Sequence, residues 1–75
     1  MVINKQKLDT YMDKVEATLK SMNIYKSGHA LAVFRYLKAS LPKESGLGLM
    51  TDEQRKLKLL TDTTGIPLDI YENES

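Results

Sequence analysis

Seventy-five residues suffice for one domain, 1–75, with a core close to the smallest that folds alone, because so short a chain buries only about 60–65% of the surface its unfolded form exposes. The absence of cysteine excludes a disulfide framework and a Cys-based zinc site, and makes the cytoplasm the expected compartment. Net charge is +1, but residues 1–60 hold all eleven Lys and Arg against six acids, an excess of five positive charges, whereas residues 61–75 hold four acids and no base.

No secretion leader is expected behind MVINKQKL, and no run approaches the roughly 20 apolar residues that a membrane-spanning helix requires. The first helix is announced by Leu8, Tyr11, Met12, Val15, Leu19 and Met22. Their offsets of 0, 3, 4, 7, 11 and 14 place them, at about 100° per residue, in one stripe facing a core. Lys5, Asp9, Asp13, Glu16 and Lys20 fall on the other side, with Lys5–Asp9 and Glu16–Lys20 as i,i+4 pairs. The helix is predicted to stop near Ser21 to Asn23, with Asn23 in the left-handed conformation and Ile24 folded back against the last turn.

A second helix is predicted from Ser27, as N-cap, to Ser40 or Leu41 before Pro42. Ala30, Val33, Phe34, Leu37 and Leu41 make its apolar face, while Ala32 and Ala39, with Tyr36 nearby, occupy its reverse. A helix so nearly apolar all round is buried on more than one side, which makes it the central helix or one that meets another subunit.

The stretch PKESGLGLM, residues 42–50, is an apolar connector. A third helix opens at Thr51-Asp52-Glu53-Gln54, where Thr51 as N-cap and Gln54 three residues on match a capping box, and Asp52 and Glu53 suit the positive end of the helix dipole. It is predicted to end by Thr64, with Gly65 as the left-handed cap residue and Pro67 preventing continuation. Beyond it Ile66, Leu68 and Ile70 alternate with polar partners, which reads as an extended acidic tail that either pairs residues 66–70 with residues 2–3 or lies over the helices. The fold expected is therefore all-α, a small three-helix domain with an apolar loop and an extended tail.

Enzymatic constellations are not evident. His29 is the only histidine, so it has no second imidazole or thiolate to complete a zinc site, and it reads as a partly exposed residue at the start of a helix. Asp9, Asp13 and Glu16 share a face that also carries lysines. The GLGL of residues 46–49 follows a helix and lacks the third glycine or Lys-Ser pair of a phosphate cradle. No catalytic residue, metal, cofactor or small-molecule substrate is expected.

Arg35, Lys38, Arg55, Lys56 and Lys58 could support binding to DNA, the alternative function. Against it, nine residues join the second and third helices where a helix-turn-helix uses 3–4, and only two of the eleven bases are arginines able to read guanine bidentately. The function expected is a non-catalytic regulatory or adaptor protein that acts through protein contacts and self-associates. Its candidate partner-binding residues are Ala32, Tyr36, Ala39, Leu47, Leu49, Met50, Leu59, Ile66, Leu68, Ile70 and Tyr71, apolar groups without an evident place in a three-helix core.

Overall fold

The computed structural model describes residues 2–72, and the backbone alone of Ile24 and Lys26. Three helices follow one another, α1 over Lys5–Ser21, α2 over Ile24–Ser40 and α3 over Thr51–Thr64. Asn4 caps α1 by accepting from the Lys7 N–H at 3.0 Å. The predicted stripe faces inward: Leu8, Tyr11, Val15 and Leu19 are buried, and Met12 and Met22 pack against them. Glu16 lies within reach of Lys20 at 4.0 Å and of Lys38 at 3.6 Å, and Lys5 pairs with Asp9, so the outer face of α1 is largely charge-compensated.

α1 ends at Ser21, within the predicted range, but the role of Asn23 and the start of α2 differ from the sequence expectation for one reason. Asn23 is not a left-handed end to α1: its φ of −61° and ψ of 137° are extended, and its side chain accepts from the Tyr25 N–H at 2.8 Å, capping α2. Ser27 accordingly is not a cap but lies inside the helix, buried, its hydroxyl donating to the Asn23 carbonyl at 3.2 Å. Asparagine caps at least as well as serine, and a start at Ile24 adds a turn to α2. The expected contact of Ile24 with the last turn of α1 lies outside the described side chains.

α2 is central, touching both α1 and α3, which also touch each other. It buries Ala30, Val33, Phe34, Leu37 and Leu41, the face its periodicity marks. α3 buries Leu57 and Leu60 against it. Its N-cap is Met50 rather than Thr51, and the reciprocal bond comes from Glu53, which accepts from the Met50 N–H at 3.1 Å; the Gln54 amide instead donates to the Leu49 carbonyl at 3.1 Å. TDEQ holds overlapping solutions, and a carboxylate both accepts more strongly and suits the helix N-terminus. Gly65 closes α3 at φ 75°, donating its N–H to Thr61 at 2.8 Å, as expected.

The ends of the described chain meet. Ile3 bridges Tyr71 in antiparallel sense, with the Asn4 N–H donating to Ile70 and the Glu72 N–H donating to Val2, both at 2.9 Å. The tail therefore pairs with residues 2–4 one step beyond the expected 66–70. Pro67 offers no N–H to a ladder, and Ile66 and Leu68 lie against the helical core, so pairing begins only past them. On the other side of Ile3 stands the connector: the Ile3 N–H donates to the Leu47 carbonyl at 2.8 Å and the Gly46 N–H donates to the Ile3 carbonyl at 2.9 Å. Two residues opposing one, the first a glycine at φ 91°, is the pattern of a G1 bulge, which needs the conformational freedom of Gly46. Residues 2–4 are thus held on both flanks, and Ile3 and Ile70 are fully buried beneath.

Tyr11 ties α1 to α3. Its hydroxyl donates to the Leu57 carbonyl at 3.3 Å and lies 2.9 Å from the Thr61 hydroxyl. Burial raises its pKa above the ordinary 10.0, with the Thr61 hydrogen bond acting in the opposite sense. The folded chain favours the neutral phenol, so this contribution is complete below pH 10.0 and falls as pH rises through the raised value. Tyr11→Phe is expected to cost about 1 kcal/mol at neutral pH and to lessen the loss of stability in alkali, both measurable by urea unfolding at a series of pH values.

Candidate interaction surface

The expected partner-binding residues divide cleanly by position. Ile70 belongs wholly to the core, and Leu49, Leu59, Ile66, Leu68 and Tyr71 are partly buried and packed against it. The tail and one side of the connector therefore complete this protein's own interior. Leu47 and Met50 project outward, 45% and 73% exposed. On α2, Ala32 and Ala39 are exposed, and so is Tyr36 at 52%.

The longer α2 brings Tyr25 to that side, and Gly28 lies there too. At about 100° per residue, Tyr25, Gly28, Ala32, Tyr36 and Ala39 fall within an arc of roughly 80°, opposite the buried face. Tyr25 is 94% exposed, the most of any large apolar or aromatic side chain described. The arc holds no charge along its centre, and Arg35 and His29, both exposed, border it on its two sides. Lys56 of α3 stands 4.4 Å from the centre of the Tyr36 ring, a cation–π contact on the α3 flank, and also pairs with Asp52. The sequence reading missed Tyr25 because a helix started at Ser27 leaves it outside, and the Asn23 cap was the signal that would have included it; Gly28, already inside the predicted helix, has no side chain to mark a face.

Gly28 is the arc's least explained residue from the fold's own needs. A Cβ built there meets nothing within 4 Å, and its φ is not positive. Glycine in an exposed helix interior costs about 0.5–1 kcal/mol against alanine. Gly28→Ala is accordingly expected to stabilise the isolated chain by that amount, read as a higher midpoint in urea.

The five bases of the nucleic-acid alternative stand in different settings. Lys38 turns to Glu16 on α1, and Lys56 is held between Asp52 and Tyr36. Arg55 and Lys58 line a groove between α3 and the tail, beside Leu68 and Tyr71. Arg35 is exposed on α2.

Asp9, Asp13 and Glu16 line a groove between α1 and α2, floored by Leu8, Phe34 and Leu37 and rimmed by Lys5, Lys38 and Lys43. His29 is exposed at the edge of the arc. Among the described residues no three His, Cys, Asp or Glu side chains stand together as a metal site would require, and no helix is long and apolar enough to cross a membrane. Comparison with family models, with curated proteins and with solved structures finds no match to this chain.

Proposed function

We propose that this chain is a non-catalytic protein-binding module, regulatory or adaptor in kind, whose contact surface is the outward arc of α2. The observation that carries the proposal is the arc itself: two exposed tyrosines separated by Gly28 and Ala32, with Ala39 beyond, on a helix whose other face is fully committed to the core. Tyrosine gives a large amphipathic contact at low entropic cost, and small residues between such anchors let a partner backbone approach closely. Leu47 and Met50 add exposed apolar area outside the arc.

Ala32 lies at the centre of the arc and is exposed, so Ala32→Glu should leave the circular dichroism spectrum and the melting temperature nearly unchanged. A photo-crosslinking residue at position 39 should capture a discrete protein in host cells, and excess unlabelled wild-type chain, but not the Ala32→Glu chain, should compete the capture away. Equal competition by the two chains would refute the surface. Sedimentation of the purified chain over a concentration series shows whether a second copy can be that protein.

A further inference from the structure

We infer that the occupant of the α2 arc is an acidic segment of a different protein, seating apolar side chains over Gly28 and Ala32 between the two tyrosines and carboxylates against Arg35 and His29. The inference rests on the protein-binding role proposed above and adds the chemistry of the partner. Its basis is the charge along the margins of the arc: Arg35 and His29, both exposed, border it, and no Asp or Glu stands between Ile24 and Ser40.

Three occupants compete, and charge separates them. A second copy seated by two-fold symmetry sets one α2 against another, which brings Arg35 and its symmetry mate to one margin with no Asp or Glu of α2 to meet them. A nucleic acid presents phosphates at close spacing and needs converging bases, whereas the centre of the arc is uncharged, Lys38 is engaged by Glu16, and Lys56 by Asp52 and the Tyr36 ring. An acidic segment with apolar anchors meets an apolar centre with a basic margin, the ordinary anatomy of a specific interface. Nearby acids do not supply the counter-charge from within. Asp52 pairs with Lys56, Glu53 is buried on the Met50 N–H, and Glu16 lies on the α1 side between Lys20 and Lys38.

The unstrained exposed glycine is consistent with the same geometry. Gly28 has open space where a Cβ would stand, and Ala32 continues that shallow trough one turn on, so a helical segment can lie close between Tyr25 and Tyr36.

The test uses the full isotopically labelled chain and three synthetic helical peptides with the same leucine spacing, whose remaining exposed positions are glutamate, glutamine or lysine. The glutamate peptide should shift the amide signals of residues 25–39 and bind about tenfold or more tightly than the glutamine peptide, with affinity falling as salt is raised. Arg35→Glu should abolish that preference, whereas Arg55→Glu, on the α3 groove, should preserve it. Equal binding of the glutamate and glutamine peptides at α2, or indifference to Arg35→Glu, overturns the acidic partner and leaves α2 as a protein-binding surface. No shift at α2 from any of the three overturns both. Duplex DNA that shifts these amides at low salt, or shifts of the chain alone with its own concentration, overturns the inference in favour of nucleic acid or a second copy.

Discussion

A chain ending at Gly65 is expected to lose cooperative folding, although all three helices lie before that point. The missing segment carries Ile70, which is fully buried, and Ile66, Leu68 and Tyr71, which pack against the core. Burying one large aliphatic side chain contributes about 1.5–3 kcal/mol, so Ile70 with the partial burial of Ile66 and Leu68 amounts to roughly 4–8 kcal/mol. The total stability of a domain this size is about 4–11 kcal/mol at 0.05–0.15 kcal/mol per residue. The two are of the same order, and isolated helices of this length are marginal in water. Thermal unfolding followed by circular dichroism should be broad and non-sigmoidal for the shortened chain, and sharp for one ending at Glu72. A cooperative transition within a few degrees of the full chain would show the tail to be dispensable.

Ile3→Ala should cost about 2–4 kcal/mol, an unusual penalty so near the start of a chain, because the side chain is fully buried. Among the described residues its backbone pairs with both the connector and the tail, so loosening Ile3 should release three segments together. Hydrogen exchange is the discriminating measurement. The amides of Gly46, Asn4 and Glu72, each donating across these junctions, should lose protection in concert, while Leu37 and Leu57 exchange only with global unfolding. Val2→Ala, at the exposed neighbouring position, should change stability by no more than about 0.5 kcal/mol. Unaltered protection at Gly46 and Glu72 in the Ile3→Ala chain would mean that the junctions hold without it.

How much of this was legible before the structure depends on how local each feature is. The stripe of α1 and the inner face of α2 were legible because their apolar residues repeat at the helical period and need no distant partner. Gly65 was legible because a left-handed closure followed by Pro67 has few alternatives. The α2 start was not, since Asn23 and Ser27, four residues apart, are both competent caps. The α3 start slipped by one residue for the same reason, with Glu53 and Gln54 both able to reach back. Pairing of the two ends was legible in kind, but its register followed from Pro67 and from the helices that Ile66 and Leu68 cover. Which of Leu47, Leu49 and Met50 faces inward could not be read locally at all, because the bulge that orients them forms against Ile3, far away in sequence. The candidate surface inherits that pattern: Ala32, Tyr36 and Ala39 were evident from periodicity, and Tyr25 required the correct helix start.

The bridge between Ile3 and Tyr71 also orders events during synthesis. Each helix can form as it emerges from the ribosome, but Ile3 cannot be sealed in until residue 71 has followed it out, 68 positions later. At roughly 5–20 residues per second that is a wait of about 3 to 14 s. Through that interval the nascent chain carries an unclosed apolar seam, exposed to chaperones and proteases, until residues 70–72 arrive to close it.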